Sequence, residues 1–103
     1  MATGDTATAS GKPLGADETD TYKLGQPGSD RISGIIERQT TGVDVVAVWQ
    51  DEDNNDLIEE QLASASGGSK QDFDSPSRGV KCRLEVRDTG AAAGDYSLSA
   101  ILR

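Results

Sequence analysis

A run of nine residues, GVDVVAVWQ at positions 42–50, constrains the fold of this chain more than any other feature. It is the longest β-branched run and holds the only tryptophan. Because side chains alternate between the faces of a strand, each face of this run is apolar. One face carries Val43, Val45, Ala47 and Trp49, and the other carries Val46 and Val48. The run therefore predicts a central strand that is covered on both faces.

The rest of the chain has the composition of a turn-rich β protein. Of its 103 residues, 34% are hydrophobic and 12 are glycine. Short alternating segments recur at about ten-residue spacing, and no sustained helical period is present. They predict further strands at 20–24, 31–37, 57–62, 79–88 and 95–103, with a loop at 63–70. We predict an all-β domain, a seven- to eight-stranded antiparallel sandwich of jelly-roll or immunoglobulin-like type.

The alternation also predicts which side chains form the core. Gly34, between two inward isoleucines, indicates a bulge or the close approach of a neighbouring strand. The predicted core includes Ile32, Ile36, Val45, Ala47, Trp49, Val80, Cys82, Leu84, Val86, Tyr96, Leu98 and Ala100.

Residues 1–19 differ in composition from the rest. They are mostly Ala, Thr, Ser, Gly and Asp, and beyond Met1 their one large apolar residue is Leu14. Such a segment buries too little apolar surface to order itself. We therefore predict a flexible N-terminal arm at 1–19, which becomes ordered on a neighbouring subunit, and a sandwich domain at 20–103.

The net charge of the chain limits the kinds of partner that it can bind. The chain carries 18 acidic and 10 basic side chains, a net charge of −8, and only four of the bases are lysine. Such a surface repels phosphate backbones, so nucleic acid is not an expected partner. Acidic excess with few lysines is also typical of proteins from salt-loving organisms, where salt screens the repulsion.

The missing residue types matter as well. The chain has no histidine, which excludes a histidine general base or zinc ligand, and Cys82 is the single cysteine. No basic-then-apolar leader and no apolar run of membrane-spanning length is present, so we expect neither a signal peptide nor a membrane contact. We predict a protein that is not an enzyme.

One acidic turn follows the central strand. Asp51, Asp53 and Asn55 have the opening spacing of a calcium loop, in which alternate oxygens converge on a cation. Asp56 and Leu62 occupy positions where that pattern needs glycine and an acid. A solvated hairpin turn is the alternative, and no other cofactor is expected.

A row of basic residues stands out in this acidic chain. Arg78, Lys81, Arg83 and Arg87 lie within ten positions, and three of them share one face of a predicted strand. They could bind an acidic partner surface. Alternatively, they pair with carboxylates of neighbouring strands in the same sheet.

From position 18 onward, three short motifs resemble the bacterial pre-peptidase C-terminal domain. They are DTYKL at 20–24, VVAVWQDEDNN at 45–55 and GDYSL at 94–98. In that family the domain is a β-sandwich appended to secreted hydrolases, which implies a binding or targeting role without catalysis. A ligand-binding module for glycan or peptide is the function that this resemblance implies.

A small acidic sandwich with an N-terminal arm also resembles the accessory proteins of virus particles. We therefore expect a structural component of a virion from a salt-loving archaeal host, such as a capsid decoration or head–tail accessory protein, made in the host cytoplasm. Its expected partners are subunits of the same assembly, the major capsid protein among them, and further copies of itself.

Overall fold

The computed structural model describes residues 5–25 and 28–103, which form eight β-strands and no helix. These residues accordingly contain no helix long and apolar enough to cross a membrane. The strands are β1 (Thr6–Leu14), β2 (Thr19–Gly25), β3 (Arg31–Arg38), β4 (Val43–Gln50), β5 (Asp56–Ala65), β6 (Ser69–Pro76), β7 (Lys81–Asp88) and β8 (Gly94–Leu102).

The strands form two antiparallel sheets of four. Sheet 1 has the order β1-β8-β3-β6, and sheet 2 has the order β2-β7-β4-β5. Most consecutive strands lie in different sheets, so the chain repeatedly crosses from one layer to the other. This order is that of a jelly roll, one of the two predicted sandwich types. The all-β, eight-stranded antiparallel fold is thus confirmed.

Strand β4 has the predicted central position, between β5 and β7. Its inner residues Val43, Val45, Ala47 and Trp49 are fully buried between the sheets. On its outer face Val46 and Val48 are each only 4% exposed. Their cross-strand neighbours are the long side chains of Glu85 and Arg83, whose methylene groups can shield them from water.

Eleven of the twelve predicted core residues are buried, and Val80 is the exception at 49% exposure. Val80 was predicted by extending the alternation of β7 one step too far, because that strand begins at Lys81. Its amide still donates to the Gln50 carbonyl oxygen, at 3.1 Å. The backbone of Val80 is therefore held while its side chain lies beyond the covered core.

The N-terminal segment corrects the predicted domain boundary. Thr6–Leu14, expected in the arm, form edge strand β1, which pairs with β8. Ala7 and Leu14 join the core, and main-chain hydrogen bonds supply order that composition did not suggest. Residues 1–4 of the predicted arm lie outside the described residues. The predicted loop at 63–70 is also shorter, because β5 continues to Ala65 and β6 begins at Ser69.

Gly34 marks a close approach between strands, as its position suggested. It lies in the middle of β3, opposite Phe73 of β6 and Ala100 of β8. A Cβ atom at this position would overlap the Ser99 carbonyl oxygen and the Phe73 ring. Only glycine therefore fits at this position without moving its neighbours.

Arg38, the last residue of β3, is a fully buried charged residue that the sequence did not indicate. Its guanidinium makes five hydrogen bonds, and together they join both sheets at one end of the sandwich. Nε donates to Gly94 O (3.3 Å), Nη1 to Gly42 O (2.8 Å) and Asp88 Oδ1 (2.6 Å), and Nη2 to Leu14 O (2.9 Å) and Ala92 O (3.0 Å). A guanidinium has five N–H groups, so every donor has a partner.

Candidate functional site

The basic residues predicted on β7 lie in an ion-pair network on the outer face of sheet 2. Arg83 Nε is 2.9 Å from Glu85 Oε2, and its Nη1 is 3.5 Å from Asp56 Oδ1. Arg87 Nη2 pairs with Glu85 and, at 2.8 Å, with Glu59 Oε1. These partners lie in the same sheet. The geometry is therefore that of the second interpretation, in which the basic residues pair with carboxylates of neighbouring strands and do not bind a partner protein.

Glu85 is the centre of this network. Burial alone would raise its pKa, but hydrogen bonds from Arg87 and Arg83 outweigh burial and hold the pKa below its usual value. The carboxylate therefore stays charged down to acidic pH. The network lies over the buried side chains of Val46 and Val48 and covers the middle of the outer face of sheet 2.

The two other predicted basic residues form no ion pair with the acids of that network. Arg78 Nη2 is 3.5 Å from Glu60 Oε2, in the edge strand β5. Lys81 Nζ donates to the Glu52 carbonyl oxygen at 3.0 Å and to Asn54 Oδ1 at 3.1 Å. The four residues thus do not form one patch, and their role in binding a partner stays a prediction.

The predicted calcium residues form a compact turn around Asp51. One carboxylate oxygen of Asp51 accepts the amides of Asp53 and Asn55, both at 2.9 Å, and the other accepts Asn55 Nδ2 at 3.1 Å. The Asn55 bonds lower the pKa of Asp51. Within residues 5–25 and 28–103, no group of three or more acidic or cysteine side chains could hold a metal ion. The turn is held by its own donors, and calcium binding stays a prediction.

The outer face of sheet 1 is different in character. Its two central strands present small hydroxyl side chains beside two isoleucines: Ser33 and Ile35 on β3, and Ser97, Ser99 and Ile101 on β8. This face has a groove of about 250 Å³ that reaches from β1 across β8 and β3 to β6, lined by Ala9, Ile35, Glu37, Lys70, Ser97, Leu98 and Ser99. The pairing of β1 with β8 shifts register between Ala9 and Lys12, on the rim of this groove.

A second depression, of about 430 Å³, lies on sheet 2 beside the Asp51 turn. It is lined by Lys23, Leu24, Gln50, Asn54, Lys81, Cys82 and Arg83. Lys23 of β2 lies directly opposite Arg83 of β7, and Gln50 of β4 lies opposite Lys81. Lys81 and Arg83 were predicted as site residues from the sequence but Lys23 was not, because only strand pairing brings β2 beside β7.

Two buried titratable groups show that the interior favours neutral forms. Burial raises the pKa of Cys82 to about 12, so its thiol is protonated at neutral pH. Burial, with hydrogen bonds to Tyr22 (2.5 Å) and Asp20 (2.7 Å), also raises the pKa of Tyr96. Lys12 Nζ lies 3.1 Å from Asp20 Oδ2 and closes this cluster between β1 and β2. The cluster joins the two sheets at one side.

Comparison with solved structures finds the same fold in proteins of low sequence identity. The mitogen derived from Yersinia pseudotuberculosis has a TM-score of 0.62 at 9% identity, over 95% of this chain and 84% of that one. The periplasmic g-type lysozyme inhibitor PliG of Aeromonas hydrophila has a TM-score of 0.59 at 13% identity, over 97% and 88%. The VP2 subviral particle of infectious bursal disease virus has a TM-score of 0.58 at 13% identity, over 94% of this chain and 32% of the VP2 chain.

No protein-family model and no curated protein sequence matches the chain. The resemblance to pre-peptidase C-terminal domains therefore stays a prediction, although the β-sandwich that it implied is present. At such low identity the likeness to the three solved structures shows the fold alone. One of them is a lysozyme inhibitor and another belongs to a virus particle.

Proposed function

We propose that this chain is a non-enzymatic structural or interaction protein that acts by burying surface against other protein subunits. In its most specific form, the proposal is that the chain is a virion component of a virus with a salt-loving archaeal host. It would be a capsid decoration protein or another head–tail accessory protein. Subunits of the same assembly, the major capsid protein among them, and further copies of the chain would be its partners.

The contrast between the two outer faces carries this proposal. An ion-pair network with long side chains covers the middle of sheet 2, and its charges are already matched within the sheet. The middle of sheet 1 instead presents Ser33, Ser97 and Ser99 beside Ile35 and the 39% exposed Ile101. Small side chains lose little conformational entropy on contact, and the isoleucines supply apolar area to bury. Sheet 1 is therefore the face better suited to a protein contact.

The acidic surface supports the salt-loving host. A net charge of −8 on 103 residues makes copies of the chain repel one another at low ionic strength. At molar salt the Debye length falls to about 3 Å, which removes most of that repulsion. An assembly of such subunits would then be favoured in concentrated salt.

Separation of particles from the source culture on a density gradient tests the proposal. Peptide mass spectrometry should find the chain in the particle fractions at a fixed ratio to the other subunits. A chain that stays at the top of the gradient as free protein would contradict a virion role.

Two matched variants then test the face. Ser99→Arg places a long charged side chain on sheet 1, and Thr21→Arg places one on the outer face of sheet 2, where Thr21 lies opposite Glu85. We expect Ser99→Arg to reduce incorporation and Thr21→Arg to leave it unchanged. Equal incorporation of both folded variants would contradict the assignment of sheet 1.

The second candidate is a ligand-binding module for a glycan or peptide. The groove of about 250 Å³ on sheet 1 is the observation that favours it. No aromatic side chain lines this groove: Trp49, Phe73 and Tyr96 are buried and Tyr22 is half-buried. Binding of a glycan or peptide library by the isolated monomer would support this candidate, and lost binding in Ser99→Arg would place the ligand in the groove.

A further inference from the structure

The depression beside the Asp51 turn concentrates positive charge in an acidic protein. Three of the ten basic side chains, Lys23, Lys81 and Arg83, line this one space of about 430 Å³. Strand pairing fixes their relative positions, because Lys23 lies directly opposite Arg83, and Lys81 precedes Arg83 by two residues on the same strand face. The three cations thus lie on one surface of sheet 2.

Two of these cations lack a carboxylate partner. Within residues 5–25 and 28–103, no carboxylate oxygen lies within 4.0 Å of Lys23 Nζ or Lys81 Nζ. Lys81 bonds only to neutral oxygens, the Glu52 carbonyl and the Asn54 amide. Arg83 pairs with Glu85 and Asp56 through Nε and Nη1. Counted by ion pairs, the three cations therefore exceed their carboxylates by one charge, and Lys81 is also close enough to Asp51 of the adjacent turn to lower the pKa of that carboxyl.

The arrangement of Lys23 and Arg83 is unfavourable by itself. Like charges directly opposite each other on neighbouring strands destabilise a sheet. The Cβ atoms of such a pair are about 5 Å apart, which brings both charged ends within reach of one small anion. An anion between them would convert this repulsion into two attractive contacts.

We propose that this depression is an oxyanion-binding site, which accepts a carboxylate, sulfate or phosphate group. Lys23, Lys81 and Arg83 supply the charge, and charge-assisted hydrogen bonds to an oxyanion are about twice as strong as neutral ones. Gln50 and Asn54 line the same space. The Asp51 turn fixes the position of Asn54, because the main-chain amide of Asn54 donates to the main-chain carbonyl oxygen of Asp51 at 3.2 Å. The site is thus formed before the anion arrives.

Titration of the isotope-labelled full chain with sodium sulfate, at constant ionic strength set by chloride, tests this site by NMR. We expect saturable shifts of the amides of Lys23, Lys81 and Arg83, with a midpoint in the millimolar range. The double variant Lys23→Gln, Lys81→Gln should weaken binding roughly tenfold or more, because it removes two charge-assisted hydrogen bonds to the anion.

Arg31→Gln with Arg103→Gln is the matched control, since both arginines are exposed and lie outside this depression. It also removes two positive charges and should leave the titration unchanged. Shifts that rise linearly without saturation, or that are equal in the wild type and the double variant, would overturn the site. NMR is preferred to melting curves because sulfate stabilises folded proteins in general.

Competition identifies the source of the oxyanion. A hexaglutamate peptide that displaces sulfate at lower concentration would show that the site takes carboxylates of an acidic protein segment. Displacement by inorganic phosphate alone would show that the site takes a free ion. Both results support the site, and neither depends on the virion role, which the gradient experiment tests separately.

Discussion

The guanidinium of Arg38 lies 2.6 Å from the carboxylate of Asp88, and both side chains are fully buried. Arg38 ends β3 of sheet 1, and Asp88 ends β7 of sheet 2, so the pair joins the two layers. The same guanidinium bonds to main-chain oxygens of Leu14, Gly42, Ala92 and Gly94. One side chain thus fixes this end of the sandwich.

We expect Arg38→Met to destabilise the fold by about 3–5 kcal/mol, because it leaves a buried carboxylate and several carbonyl groups without a donor. Urea unfolding measures this free energy. Arg31→Met is the matched control, since Arg31 begins the same strand and pairs with Asp74 on the exposed surface, at 2.9 Å. An exposed pair contributes little, so the control should unfold near the wild-type midpoint. Equal effects of the two changes would contradict the role of the buried pair.

Asp88 predicts an acid dependence of stability. The amide of Asp17, 2.8 Å from Oδ2, and the Arg38 guanidinium hold the pKa of Asp88 below its ordinary value of 3.8. A carboxylate whose pKa is depressed in the folded state contributes stability above its unfolded pKa and loses it as pH falls through the folded pKa. The contribution should therefore be complete at neutral pH and decline below about pH 4.

Asp88→Asn isolates this contribution from those of other acids. We expect the variant to be less stable than the wild type at pH 7 and the difference to shrink as pH falls below about 4. Unfolding free energies measured across this range in both proteins give the comparison. A difference that stays constant with pH would show that the charge of Asp88 is not the cause.

The basic row on β7 gives a third prediction. Arg83→Gln with Arg87→Gln removes the partners of Glu85, Glu59 and Asp56, so pairing within the sheet predicts a loss of about 1–2 kcal/mol. Lys70→Gln with Arg103→Gln changes the net charge equally, elsewhere on the surface. If the β7 variant is as stable as this control but fails to join the assembly, these arginines bind a partner instead.

Gly34 gives a fourth prediction. Gly34→Ala forces a methyl group against the Ser99 carbonyl and the Phe73 ring, and overpacking of this kind typically costs about 1–3 kcal/mol. Ser33→Ala, one residue earlier on the outward face, should cost much less. Thermal unfolding of both variants tests the contrast, and an unchanged melting temperature in Gly34→Ala would show that the strands can separate at this point.

The alternation of apolar residues was sufficient to predict the central strand, the inner faces of β7 and β8 and the all-β class. Period-two patterns are local, and burial of one face preserves them. The alternation wrongly predicted that Val80 is buried, because a period-two pattern does not show at which residue a strand begins. It also did not identify Arg38, whose acceptors come from segments at Leu14, Gly42, Asp88 and Ala92 that only the jelly-roll topology brings together.

The candidate sites were predicted less completely, for the same reason. Lys81 and Arg83 are neighbours in sequence and could be identified, but Lys23 joins them only through the pairing of β2 with β7. The groove on sheet 1 depends likewise on β1, which composition alone suggested to be an arm. Contacts between distant strands, which decide both surfaces, leave no local pattern in the sequence.

Leu14 tests whether β1 belongs to the folded domain in solution. Its side chain is 2% exposed, and it belongs to the hydrophobic core shared by the two sheets. Leu14→Ala should therefore destabilise the chain by about 2–5 kcal/mol, as in other cores. Leu57→Ala makes the same chemical change at a side chain that is 56% exposed, and should have little effect. If urea unfolding shows that both variants match the wild type, residues 6–14 behave in the free chain as the flexible arm that their composition predicts, and they pack only within an assembly.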